Sequence, residues 1–518
     1  MRRTMQLFRI QLFNLFPIHE IREPGNRKKR AAVILSIGGM AAALFLCAYN
    51  ILTAGALAEA GEGALIPAYM VSISSFAVLF LTMFRACGIL FGTRDMDLLA
   101  SLPVKNSEII GSKFLLMYLM NLMISLIFMI PGGIVWIADV KTDLPLFALF
   151  LSAAFFVPLV PMCLASAISL LIVLASSHFK NRNIVSLLLS FAALGLVGYI
   201  AVSSMHSEGD MGNVGAMLAK QITGLYPLSG LFLKSAGGKT GVGMFLVLSA
   251  AVFSLFIKVT SANYCRLNAL AGAGSKYSKR RFPLKKHTPF SALFRKELGR
   301  FFSSYTAVLN AGFGVLLLCV FSVLLLILPP EQLGEYAGIE NMSGFLSDYA
   351  PVVVAALLSL SCPAASAVSL EGKNVWILQS APVAIKTLID SKLAVNILLH
   401  LFGYLPAVCS ILIRLHMTAL QTAGLLWIPV CYSVFIAVLG LFLNQRYPNY
   451  DWDSEGMVVK QSLPVIVAGI AGMVCVAAPV LLSWILSVPI LSALWITAGI
   501  LTAAAAIMYH KLCCLNYL

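Results

Sequence analysis

Two stretches of this chain, 279 residues apart, are versions of one another. Leu99-Ala-Ser-Leu-Pro-Val and Ile110-Gly-Ser-Lys113 recur as Leu378-Gln-Ser-Ala-Pro-Val and Ile389-Asp-Ser-Lys392. An apolar background does not supply a Ser, a Pro and a Lys at matched spacing by accident, so the chain is a duplication. A second pair agrees. Phe8-Arg9, Leu12 and Leu15-Phe16 match Phe294-Arg295, Leu298 and Phe301-Phe302, with apolar residues at i, i+4, i+7 and i+8 ahead of a long apolar run. Each half therefore opens on an amphipathic helix and later sets a polar Ser-x-Pro elbow between apolar runs.

The runs place the chain in a membrane. Sixty per cent of its residues are hydrophobic and 11% charged, where globular domains carry about 25% charge, and the mean hydropathy is +0.92. A bilayer core needs about 20 apolar residues per helix. Twelve runs meet or approach that length: Ala31 to Leu52, Leu65 to Phe84, Phe114 to Ile137, Leu146 to Leu174, Ile184 to Val202, Val242 to Ile257, Ala307 to Leu328, Pro351 to Leu370, Leu393 to Ile413, Ala419 to Leu443, Leu463 to Leu486 and Pro489 to Met508. The expected fold is an all-α polytopic membrane protein of about 12 transmembrane helices in two parallel six-helix repeats. Residues 1–258 form the first half, 259–292 a basic linker and 293–518 the second half.

The net charge of +15 comes from Lys and Arg beside the runs, before the first and throughout the linker. By the positive-inside rule both termini and the linker lie in the cytoplasm, and the basic residues serve orientation and lipid headgroups rather than nucleic acid. Glu59, Glu62, Asp139, Asp143, Glu331, Glu335 and Glu340 mark the outer loops, while Arg414 and His416 fall outside and fit this pattern poorly. The polar, basic start without a small-residue cleavage site predicts an uncleaved N-terminus. Eleven cysteines, mostly inside apolar runs, give neither a disulfide framework nor a zinc site.

Both elbows follow the second run of their half and face the cytoplasm in this topology. Pro103 and Pro382 cannot continue a helix and suit the first turn of the next, so a short surface helix is expected to break there and restart toward the third span. No phosphate-cradling loop is present: Ala236-Gly-Gly-Lys-Thr240 lacks the first glycine, since position 233 is Leu. Metalloprotease, nucleophile-elbow and paired intramembrane carboxylate patterns are absent as well, so the chain is expected not to be an enzyme and to hold no cofactor of its own. Few charges fall inside the spans, which weakens ion coupling. Arg85 stands at the inner end of the second span, where its side chain can snorkel to the interface.

Phe91-Gly-Thr-Arg-Asp-Met-Asp-Leu-Leu-Ala-Ser-Leu-Pro-Val and Ser369-Leu-Glu-Gly-Lys-Asn-Val-Trp-Ile-Leu-Gln-Ser-Ala-Pro-Val resemble the paired segments of double-length bacterial ATP-binding cassette export permeases. Tyr447-Pro-Asn-Tyr-Asp-Trp-Asp-Ser-Glu, with Val459-Lys-Gln-Ser462, is similar to a third stretch of that group. The resemblance implies the type-two exporter fold, with an amphipathic connecting helix and a coupling helix in each half. It also implies a permease subunit in the cytoplasmic membrane, with a separate ATPase that uses the ATP and docks in two copies per chain. The coupling residues it implies are Arg94, Asp95, Asp97, Ser101, Pro103 and Lys113, and Glu371, Lys373, Asn374, Trp376, Ser380, Pro382 and Lys392. Outer re-entrant helices belong to that fold. Ile222 to Phe232 could supply them in the first half, whereas the second half has almost no loop there. An ion-coupled transporter of six plus six spans and a membrane scaffold without transport are the alternatives.

Overall fold

The computed structural model describes residues 2–15, 26–90, 103–139, 144–179, 182–205, 214–233, 240–272, 287–337, 341–452 and 455–514. Every regular element among them is helical. The chain forms two compact units that divide between Lys279 and Arg280, inside the basic linker.

The first unit runs α1 (Arg2–Leu15), α2 (Asn26–Glu59), α3 (Ile66–Ile89), α4 (Asn106–Asp139), α5 (Leu144–Ala153), α6 (Leu159–Ser176), α7 (Arg182–Met205), α8 (Val214–Leu225), α9 (Gly230–Leu233) and α10 (Thr240–Gly272). The second runs α11 (Pro289–Ser303), α12 (Tyr305–Ala311), α13 (Phe313–Ile327), α14 (Pro330–Ala337), α15 (Met342–Ser359), α16 (Val375–Ser380), α17 (Ile385–Arg414), α18 (Ala419–Arg446), α19 (Glu455–Gln461), α20 (Leu463–Leu486) and α21 (Ile490–Cys514). In each unit the amphipathic helix lies against the helix that follows the elbow, α1 on α4 and α11 on α17. Lateral packing then completes the bundle, with α3 between α4 and α6, and α18 between α15 and α21.

Three apolar runs expected as continuous spans are broken. The fourth would be about 43 Å long as one helix, against a core of about 30 Å. It divides instead into α5 and α6 around a turn over 154–158, where Pro158 caps α6. The turn's carbonyls find partners on α4: Ser125 Oγ donates to Ala154 O at 2.9 Å and the Tyr118 hydroxyl to Phe155 O at 2.9 Å. The seventh bends by 65° between α12 and α13. Ser361 Oγ accepts from Val315 N at the start of α13, and a Cβ on Gly314 would stand 1.9 Å from Leu357 O, so only glycine lets α13 pass α15 this closely. The eighth, expected over Pro351 to Leu370, is helical only to Ser359 and then gives way to 3-10 turns at Pro363–Ala365 and Ser369–Asn374.

Both elbow prolines stand three residues ahead of the next helix rather than in its first turn, Pro103 before Asn106 and Pro382 before Ile385. Backbone extended at Ala381 and Ala384 separates α16 from α17. The sixth run is longer than expected, reaching Gly272 as α10. The stretch expected to supply re-entrant helices in the first unit forms two short helices, α8 and α9, packed on α3, with Ser72 Oγ donating to Ile222 O at 2.9 Å. In the second unit α20 and α21 are joined at a left-handed Ser487. Arg414, which fits the charge pattern poorly, acts locally. Its guanidinium donates to Leu325 O, at 3.2 Å, and to Leu326 O, satisfying carbonyls at the C-terminus of α13.

Candidate functional site

The strongest polar feature of the second unit lies where the amphipathic helix, the elbow and the following span meet. Lys392 on α17 is wholly buried and Glu297 and Glu371 nearly so. Its ammonium stands 2.8 Å from a Glu297 oxygen and 2.8 Å from a Glu371 oxygen, and donates to Ala367 O at 3.0 Å. Two further cations close the cluster from α11. Lys296 donates to Glu371 at 2.7 Å, and Arg300 pairs with Glu297, lies 3.0 Å from Glu371 and donates to Ala367 O at 2.9 Å. Three cations thus face two carboxylates, which leaves one positive charge. A cavity of about 30 Å³ beside the cluster is lined by Arg300, Lys392 and Glu297 together with Pro363, Ser366 and Val395, room for one or two waters.

Local sequence explains how these groups converge. Glu297 shares the face of α11 that carries Phe294 and Phe301, so the packing that buries Phe301 carries the carboxylate in with it. Thr288 caps that helix by accepting from Ser291 N. Glu371 sits in the broken segment, one residue before Gly372, whose φ of 57° and ψ of −144° suit glycine. A Cβ there would meet the Trp452 ring at 3.3 Å.

Exposing non-helical backbone inside an apolar bundle requires a partner for each polar group, and α17, α18 and the loop after α18 supply them. Asn396 Oδ1 accepts from Ala364 N at 3.1 Å. Asn444 Oδ1 accepts from Val368 N at 2.7 Å and Ser369 N at 3.0 Å, while its Nδ2 donates to Ser369 Oγ at 2.7 Å. Trp452 Nε1 donates to Ser369 O at 2.8 Å, and Asn449 N to Ser369 Oγ at 3.0 Å. His400 Nε2 lies 2.7 Å from Ser361 O and its Nδ1 2.7 Å from Ser433 Oγ. The carbonyl can only accept, so the proton of the neutral ring belongs on Nε2 and Nδ1 accepts from the serine. Burial, aided by the Glu371 carboxylate, raises the pKa of the Tyr450 phenol in the same loop.

The residues expected at the second elbow therefore separate into two groups. Glu371 and Lys392 are buried in the cluster. Lys373, Asn374, Trp376, Ser380 and Pro382 are exposed, Trp376 at 61% and Ile377 beside it at 51%. At the first elbow, Arg94, Asp95, Asp97 and Ser101 lie outside the described residues. Pro103 is exposed and accepts from Arg3 at 2.6 Å through its carbonyl. Lys113 is buried on α4, next to Ser112, whose hydroxyl accepts from Gln11 Nε2 of α1 at 3.3 Å. Glu297 was not among the residues expected here. Asn396, His400, Asn444 and Trp452 were not either, and Lys296 and Arg300 entered only as orientation charges. Among the described residues no group of three His, Cys, Asp or Glu side chains could hold a metal ion.

Nine helices among the described residues are long and apolar enough to cross a membrane, ten when α12 and α13 are one bent span. Shorter apolar stretches lie within α2 (Ala43–Glu59) and α7 (Asn183–Leu196). This is the architecture of a multi-pass, all-helical membrane protein. A family described as membrane protein of 12 TMs matches residues 31–510, and the chain belongs to it. No curated protein and no solved structure matches.

Proposed function

We propose that this chain is the transmembrane permease of an ATP-binding cassette exporter in the cytoplasmic membrane, driven by a separate ATPase that docks at the two elbows, both termini lying in the cytoplasm. One observation supports the reading above the rest. The buried cluster of Glu297, Glu371 and Lys392 ties an amphipathic surface helix, a polar elbow and a span together at one point. That arrangement suits passing a push from a docked partner into the bundle, and the exposed Trp376 and Ile377 on α16 offer the partner a contact. The chain carries no phosphate-cradling loop, so on this reading the ATP is hydrolysed by the partner, and two elbows in one chain take two ATPase copies.

The test is co-purification. An affinity-tagged chain expressed with the P-loop ATPase encoded beside it should yield a complex of one chain and two ATPases by mass. Failure of any such ATPase to bind, or a complex with two permease chains, would overturn the reading.

Coupling to an ion gradient is the second reading, favoured by the buried His400, Ser361 and Ser433 arrangement in the middle of the second unit. It requires a gradient-driven flux that persists without ATP and falls with His400→Phe.

A further inference from the structure

Helix α11 stands where a span begins. Its last residue is Ser303, and the bent span of α12 and α13 starts at Tyr305, so α11 lies beside the bilayer surface. Its two faces differ in chemistry. Glu297 and Phe301 are buried on one of them, whereas Arg295 is exposed and Lys296 keeps 41% of its side chain open while it reaches Glu371 at 2.7 Å. His287, exposed just ahead of the helix, lies with Nε2 3.1 Å from Arg295 Nη1. The guanidinium can only donate, so Nε2 accepts and one hydrogen bond holds the two bases side by side. Near them Phe290 is 41% exposed and stacks on Phe294 with ring centroids 6.1 Å apart.

The surrounding sequence has the same sign. Lys and Arg occupy ten positions from Lys258 to Lys296, and no Asp or Glu occurs from Met211 to Lys296. Exposed bases and an exposed aromatic ring on an amphipathic helix at a bilayer surface complement an anionic phospholipid, whose phosphate pairs with the cations while the ring enters the acyl boundary. A guanidinium matches two phosphate oxygens at once.

We propose that the N-terminal part of α11 is a binding site for anionic phospholipid: Arg295 holds the headgroup phosphate with His287 beside it, Lys296 adds charge, and Phe290 enters the acyl boundary. The site is confined to residues 287–296 and does not depend on the exporter reading.

Photo-crosslinking of the full chain in nanodiscs tests this without any partner. In phosphatidylcholine discs doped with phosphatidylglycerol, a phosphatidylglycerol analogue with its photoreactive group beside the phosphate should label residues 287–303 several-fold more than the matched phosphatidylcholine analogue. Arg295→Gln should lower that labelling about fivefold, the loss of one basic contact at an anionic surface, and Arg295→Lys should keep most of it. Lys511→Gln removes an exposed base at the end of α21 and should leave it unchanged. Added phosphatidylglycerol should also slow amide exchange of α11 in the wild type, and less so in Arg295→Gln. Equal labelling by the two analogues would overturn the proposal. So would a loss with Lys511→Gln as large as that with Arg295→Gln, which would mean attraction by net charge alone, or displacement of the lipid by inorganic phosphate at equal concentration, which would mean a site for the free anion. Failure of an ATPase to co-purify leaves this site standing, and absence of labelling leaves the exporter reading standing.

Discussion

Two polar regions of the second unit lie along one face of α17, and they solve the same problem differently. Lys392, Asn396 and His400 follow one another at four-residue intervals. Around Lys392 the buried groups are charged and come from α11, the broken segment and α17. Around Asn396 and His400 they are neutral, and their partners are mainly backbone groups of the break. The neutral region keeps a discontinuous span supplied with hydrogen bonds. The charged region fastens that break to a surface helix, and its integrity depends on every member being present, since a buried ion left alone costs more than the pair contributes.

Removing single members should separate the two regions. The largest effect is expected from Lys392→Met, which removes the one wholly buried cation and leaves Glu297 and Glu371 only the part-exposed Lys296 and Arg300, and it should destabilise the second unit by about 3 kcal/mol. Thermal unfolding in detergent reads it, and the double variant with Glu297→Gln should recover part of the loss. Next is Asn444→Leu, which strips the acceptor from Val368 N and Ser369 N at about 1–3 kcal/mol for each buried donor; limited proteolysis across residues 360–374 should show the break opening. Gly372→Ala should cost about 1–3 kcal/mol through its backbone conformation, and pairing it with Trp452→Ala should relieve only the ring contact. The smallest effect is expected from Lys373→Ala and Trp376→Ala. Both side chains are exposed, so unfolding midpoints should stay at the wild-type value, while binding of the proposed ATPase should fall. A stability loss at either position comparable to that of Lys392→Met would erase the distinction between an exposed contact face and a buried joint.

Much of this was legible in the sequence. The repeat, the apolar runs and the elbows are visible as patterns, and among the elbow residues Glu371 and Lys392 proved to be in contact. Glu297 carried a signal that was there to be read: a carboxylate on the Phe294 and Phe301 face of an amphipathic helix must meet a buried cation. So did Asn396 and His400, spaced from Lys392 by whole helical steps in an apolar run. The breaks in the fourth, seventh and eighth runs left only local signals, Pro158, Gly312 and Pro363, and apolar runs carry prolines inside intact helices as well, such as Pro406 and Pro429. The breaks depend on contacts distant in sequence, such as Ser361 with Val315 and Asn444 with Val368. Trp452 is similar in kind: its place follows from the shape of Gly372, 80 residues earlier.

The central claim is that the buried cluster passes motion from an ATPase to the spans, and one measurement addresses it directly. ATP hydrolysis and ATP-dependent rearrangement of α17 should be followed in the same reconstituted complex, comparing wild type with the Lys392→Met, Glu297→Gln double variant. The account predicts that the ATPase stays bound and hydrolyses ATP while the response of a fluorophore on α17 falls about tenfold or more, in keeping with the loss of a coupling free energy of about 1–3 kcal/mol. A wild-type response of α17 in the double variant would contradict it.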